Sequence, residues 1–277
     1  MNWIEAVVYG VVQGATEYLP VSSSAHLALV PWLFGWDKPS FAFDVLVQLG
    51  TLGAVCFYLR EDLRKICVAV VRGLIARKPL EDPWARKGWL IVVATIPAVV
   101  IGLATKDFIE GAFGNPTEVL LELFGTGVLL LVAEAIARKR SITKPIDAPR
   151  AIWIGFAQAF AILPGISRSG ATIAGALAVG VSREEAGRFS FLMSIPVMLG
   201  AGVLGFGDLM RDKEALANEL PGLAIAFVVA ALVGFVCIRW FLGFVRSHSL
   251  VGFGIYCCVV AVAGLLAQTM SMASATS

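Results

Sequence analysis

Six stretches of the chain, residues 41–60, 87–105, 117–137, 187–207, 221–243 and 250–268, are each close to the length of a bilayer crossing and almost free of charge. A hydrocarbon core of about 30 Å takes about 20 apolar residues in a helix. Backbone in that medium must also satisfy its own hydrogen bonds, which leaves helices or closed barrels. The sequence therefore predicts an all-α polytopic membrane protein, a single integral membrane domain over residues 1–277 with six transmembrane helices. Hydrophobic side chains form 58% of the chain and charged ones 15%, a balance that excludes an ordinary soluble domain. The net charge of +2 is too small to suggest nucleic acid. Residues 1–26 lack the basic start and cleavage pattern of a signal peptide and are expected to belong to the mature fold. Cys56, Cys67, Cys237, Cys257 and Cys258 lie in apolar surroundings without metal spacing, and so read as buried thiols.

Two further apolar regions, 3–34 and 150–181, are each broken by a polar island. The first island is Gln13 to His26 (QGATEYLPVSSSAH) and the second is Leu163 to Thr172 (LPGISRSGAT). The apolar arms on either side are too short to cross singly. Each region is therefore expected to be a re-entrant helical hairpin that turns near the membrane midplane and leaves on the side it entered. Charges at that depth cost about 2.5 to 3.5 kcal/mol each on insertion scales and normally line a cavity or pathway.

Basic residues orient the chain. Arg60, Arg64, Lys65, Arg72, Arg77, Lys78, Arg86 and Lys87 cluster in 60–88, and Arg138, Lys139, Arg140, Lys144 and Arg150 in 138–150. Both stretches are predicted cytoplasmic. The segment 106–116, with Lys106 alone, and the region before 41, with Lys38 alone, fit the outer side. The first island then enters from outside and the second from inside, with both termini outside and a disordered tail from Ser271.

The halves also echo one another. Gly10-x-x-Gln13 before Leu19-Pro20 and serines resembles Gly155-x-x-Gln158 before Leu163-Pro164 and serines, and Thr95-Ile96-Pro97 resembles Ser194-Ile195-Pro196. Opposite entry sides make these inverted-topology repeats, residues 1–137 and 150–268, an architecture whose broken helices meet at the midplane.

Gln13 and Glu17 share a helix face. Pro20 disfavours helix at Leu19, and Ser22, Ser23 or Ser24 can cap a helix that restarts with His26 in its first turn. Ser167 or Ser169 can cap the second outgoing arm. Two helix N-termini then face one space, which suits a phosphate, and Arg168 adds a planar fork for its oxygens. The same field favours a neutral His26, able to act as base or nucleophile. Glu17 beside an anion site calls for a compensating cation, and an oxygen set of Glu17 with Gln13 favours Mg²⁺ or Ca²⁺. Asp44, with Gln48 and Thr51 on following turns, faces either the cavity or the outer interface. Glu122 and Glu134 are expected near helix ends or paired across helices. Trp3, Trp32, Trp36, Trp84, Trp89, Trp153 and Trp240 read as interfacial anchors.

The run Gln13-x-x-x-Glu17-x-Leu-Pro-Val-Ser-Ser with His26 resembles the (E/Q)xxxE and PVSSxxH region of the undecaprenyl-diphosphate phosphatases. Pro164-Gly-Ile-Ser-Arg-Ser-Gly-Ala-Thr172 resembles their PGxSRSxxT motif. The similarity extends through Phe43 to Thr51 and Arg188 to Pro196. It implies a hydrolase of the bacterial inner membrane that removes the terminal phosphate of undecaprenyl diphosphate, recycling the lipid carrier for peptidoglycan synthesis and giving bacitracin resistance. It implies a divalent-cation requirement, with Glu17 as the metal-associated acid and Gln13 as the permitted Gln variant beside it. Ser22 and Ser23 match the serine pair and His26 the essential histidine. Ser167, Arg168, Ser169 and Thr172 match the phosphate-binding signature. Ser23 is the expected nucleophile with His26 as its base, in a site opening to the outer face. A polyprenyl diphosphate lipid and the bilayer are the expected partners, and a homodimer is compatible with such a chain. The competing reading from the residues is a secondary transporter or lipid flippase, which also uses inverted repeats of broken helices.

Overall fold

The computed structural model describes residues 1–37, 39, 41–105, 116–140, 143–163, 165–209 and 213–275. Pro164, Lys38 and Lys106 lie outside the described residues. Eleven helices make up the regular structure among the described residues: α1 Trp3–Thr16, α2 Ser23–Phe34, α3 Phe41–Tyr58, α4 Arg60–Ile75, α5 Pro83–Ala104, α6 Pro116–Arg138, α7 Ala148–Phe160, α8 Arg168–Ala178, α9 Arg183–Leu209, α10 Lys213–Phe244 and α11 Val251–Ala275.

Five of these, α5, α6, α9, α10 and α11, contain stretches long and apolar enough to cross a membrane. The predicted sixth span, 41–60, stops at Tyr58, where the chain bends by 75° into α4, so the two helices count as one candidate span only if taken together. The basic stretch 60–88, predicted cytoplasmic, is helical over Arg60–Ile75. Its charged residues alternate with a narrow face that buries Ile66, Ala69 and Gly73, a helical period hidden by the charge count. α5 starts at Pro83, four residues before the expected 87, with Asp82 as its cap, accepting from Trp84 N at 2.7 Å. At the far end α11 continues to Ala275, so the tail predicted as disordered from Ser271 is largely helical, and residues 276–277 lie outside the described residues. All five cysteines are free, but only Cys257 is buried and Cys67 is exposed. Apolar sequence around a thiol does not bury it when its helix face looks away from the rest of the bundle.

Both broken regions are helix–break–helix. The arms of the first have 14 and 12 residues and those of the second 13 and 11. At 1.5 Å per residue even the longest spans about 21 Å, short of a bilayer core. Each first arm packs closely on a long helix through glycine. A Cβ on Gly10 would lie 2.7 Å from the Ala226 carbonyl of α10, and one on Gly155 would lie 2.4 Å from the Ala94 carbonyl of α5. Such small-residue contacts replace the hydrophobic drive that helices lack in lipid. Gly127 and Gly254 bring α6 and α11 together in the same way.

One end of the bundle is tied by charge. Arg183, at the start of α9, grips Glu134 of α6 with two bonds of 2.8 and 2.5 Å, and Glu134 also accepts from Leu250 N at 2.8 Å. Arg188 pairs with Asp62 of α4, and Arg246 with Glu184. The basic segments predicted to share one side of the membrane thus meet at one end. Pairing across helices resolves Glu134 as the sequence suggested.

Candidate active site

The first island turns between α1 and α2. Gln13 Nε2 donates to Glu17 Oε2 at 2.9 Å, as their one-turn separation requires. Ser22 then adopts φ +68° and ψ 100°, a conformation L side chains rarely take, and its hydroxyl caps α2 by accepting from Ala25 N. This turn aims Ser23 back at the end of α1, where its Oγ donates to Glu17 Oε2 at 2.6 Å.

The second island supplies the opposite wall. Ser167 caps α8, its Oγ accepting from Gly170 N at 3.0 Å, while its own N–H donates to Thr126 Oγ1 of α6 at 2.9 Å. Arg168, the first residue of α8, pairs through Nη2 with Glu17 Oε1, and its guanidinium lies 5.6 Å from the Tyr18 ring centroid. Two more bonds join the islands: Ser169 Oγ donates to the Leu19 carbonyl at 2.9 Å, and Gly165 N donates to Ser24 Oγ at 3.2 Å. Gly165 has φ +111°, and a Cβ there would collide with the Val119 carbonyl and Glu122 of α6. The loop can approach α6 and Ser24 only because this position is glycine.

Gln13, Glu17, Ser23 and Arg168, separated by as much as 155 residues, therefore form one cluster, with the N-termini of α2 and α8 beside it. The Arg168 and Glu17 side chains are 17% and 7% exposed, so little water screens the pair. Ser22, Ser167 and Ser169 hold the two turns. Thr172 sits one turn inside α8 and is fully buried, its hydroxyl on the Arg168 carbonyl at 2.8 Å and on Ser190 Oγ at 2.6 Å. It fixes the turn that carries Arg168.

His26 stands apart from Ser23. Its Nδ1 contacts the Ser22 carbonyl at 2.8 Å and its Nε2 the Tyr256 hydroxyl at 2.7 Å. The expected Ser23–His26 bond is not formed, because the cap at Ser22 turns the imidazole toward α11 and leaves Glu17 as the acceptor for Ser23. Asp44 makes no hydrogen bond to either island. Its Oδ1 is buried without a partner, and Thr51 donates to the Gln48 carbonyl. Ser24, Thr126, Tyr18 and Tyr256 complete the site but are absent from the sequence-predicted set. Ser24 is a third serine in a run read as a cap, and the other three are lone hydroxyl groups in apolar or motif-flanking sequence with no local signal.

A divalent cation would need oxygen ligands. Gln13 Oε1 is buried next to Glu17 and has no hydrogen-bond partner. One carboxylate and one amide carbonyl are oxygen donors of the kind a hard cation would take. Among the described residues there is no group of three His, Cys, Asp or Glu placed to hold a metal ion.

A family model described as "Bacitracin resistance protein BacA" matches residues 6–263. An undecaprenyl-diphosphatase of Rubrobacter xylanophilus is 44% identical over 92% of this chain and 94% of its own. Those of Chloroherpeton thalassium and Geobacter metallireducens are 41% and 42% identical, covering 92% and 96% of this chain and 93% and 98% of theirs.

Proposed function

The chain belongs to the bacitracin resistance protein BacA family, and we infer from its relatives and its site that it is a membrane-embedded undecaprenyl-diphosphatase. It hydrolyses undecaprenyl diphosphate to undecaprenyl phosphate and inorganic phosphate, returning the lipid carrier to peptidoglycan synthesis and conferring bacitracin resistance. The observation that carries this reading is the junction of Glu17, Ser23 and Arg168 at the paired starts of α2 and α8.

The terminal phosphate sits at the two helix N-termini, where unpaired N–H groups and the helix dipoles attract an anion. Arg168 leaves Glu17 for the phosphate oxygens and stabilises the charge that spreads over them in the transition state. Ser23 Oγ attacks the terminal phosphorus and its proton passes to Glu17, while the bond to the bridging oxygen breaks and undecaprenyl phosphate departs. Water then hydrolyses the phosphoserine, with the neutral imidazole of His26 as the acceptor for its proton. Glu17 and the free Gln13 carbonyl would hold a Mg²⁺ or Ca²⁺ ion, which when bound neutralises phosphate charge.

The two broken regions are read as re-entrant hairpins within an inverted repeat of six crossings, in the bacterial inner membrane with the site open to the outer face. Short arms, the matching Gly10 and Gly155 contacts and the gathered basic segments support this arrangement. The prenyl chain stays in lipid. Purified protein mixed with a prenyl diphosphate and Mg²⁺ in detergent should release inorganic phosphate. A carrier would bind the lipid and release none, and that result would overturn the reading.

A further inference from the structure

The geometry points to Tyr256 as the residue that holds the basic nitrogen of His26 and passes a proton to it. A carbonyl can only accept, so the 2.8 Å contact with the Ser22 carbonyl places a proton on His26 Nδ1. In the neutral ring Nε2 then carries the lone pair, and the Tyr256 hydroxyl donates to it at 2.7 Å. The two rings lie within 4° of parallel with centroids 5.7 Å apart, so the side chains are in ring contact as well as hydrogen-bonded.

α11 is fixed against the first hairpin just beside this contact. Cys257 is fully buried, its Sγ 3.6 Å from the Pro20 carbonyl, and packs with Val21, Ala25 and Leu123. Tyr256 itself is 44% exposed. Its ring is therefore not an anchor of the core, and its hydroxyl bonds His26 across 230 residues of sequence.

The consequence, which rests on the phosphatase reading, is a division of labour. Glu17 takes the Ser23 proton, and His26, held away from Ser23, takes the proton of the hydrolytic water through Tyr256: the phenol oxygen accepts that proton as its own O–H proton passes to Nε2. Without the phenol O–H the imidazole keeps only its Ser22 tether, and the path from water to Nε2 is broken.

Tyr256→Phe keeps the ring and deletes the O–H. The chain has two histidines, so imidazole ¹⁵N spectra of labelled protein in detergent contain two rings, and His248→Gln assigns them. The wild type should give His26 as the Nδ1–H tautomer with a hydrogen-bonded Nε2. In Tyr256→Phe the Nε2 resonance should move to that of a free acceptor, kcat should fall about tenfold, and KM should stay within twofold. An Nε2–H tautomer in the wild type, an unmoved Nε2 resonance in the variant, or an unchanged kcat would each overturn the proposal. A wild type that releases no phosphate would instead sink the phosphatase reading, and the ¹⁵N spectra would still decide whether Tyr256 holds His26.

Discussion

The first hairpin and the second share a construction up to and through their breaks. Each incoming arm carries a glycine against a backbone carbonyl of a long helix and a glutamine three residues later, and each outgoing arm starts on a serine cap. Past that they diverge. The first cap, Ser22, has φ +68°, whereas the second, Ser167, has an ordinary φ of −67°. Gln13 donates to Glu17, whereas both side-chain polar atoms of Gln158 are buried without a partner and the residues after it are apolar. The strained cap belongs to the hairpin proposed to carry the nucleophile, and backbone strain of this kind costs of order 1–3 kcal/mol. The relaxed cap belongs to the hairpin that needs only a helix N-terminus and a cation. On the proposed chemistry, one backbone device serves as a reacting half and a cradling half.

Removing the cation of the cradling half should have the largest effect. Arg168→Ala strips the fork proposed to stabilise the phosphoryl group and should lower phosphate release about 10³-fold, or about 4 kcal/mol of transition-state stabilisation. Arg168→Lys should restore little of it, because a point charge cannot replace the planar fork. Ser23→Ala on the reacting half should fall as far. The difference between the halves lies in what survives: Ser23→Ala should still bind a prenyl diphosphate, and Arg168→Ala should bind it weakly. Equal binding by the two variants, measured by equilibrium titration, would erase the proposed split.

The shared construction can be tested separately from the chemistry. Gly10→Ala and Gly155→Ala each force a methyl group against a backbone carbonyl, at 2.7 and 2.4 Å. Overpacking of this sort costs about 1–3 kcal/mol, and both variants should lose similar stability in detergent unfolding. A large loss in one and none in the other would show that the two contacts are not equivalent.

Much of this comparison could be read from the sequence because it rests on local rules. Proline, serine caps and the Gln13–Glu17 spacing determine backbone within a turn or two, and Arg168 stands out because a guanidinium in an apolar region has few other uses. What escaped depends on contacts between distant segments. The His26 orientation is set by Tyr256, 230 residues away, and Thr126 reaches Ser167 from the middle of an apolar span. The bend at Tyr58 escaped because the apolar run passes straight into a charged helix, and composition alone separates span from loop there but not helix from helix.

The finest difference between the halves is at the paired glutamines, where the same substitution should have opposite consequences. Gln13→Leu removes a donor to Glu17 and the free carbonyl proposed for the cation, and loss of such supporting ligands typically costs 10–100-fold. It should lower turnover at least tenfold and raise the Mg²⁺ concentration needed for half-maximal rate. Gln158→Leu touches no reacting group. A buried amide without partners carries a desolvation penalty of about 1–3 kcal/mol, so its replacement by an apolar side chain of similar length should leave turnover within twofold and raise stability by about 1 kcal/mol. If Gln158→Leu instead destabilises the protein, the amide must be bonded to an internal water. The two glutamines would then be alike in having partners, and the second hairpin would be less simplified than its side chains suggest.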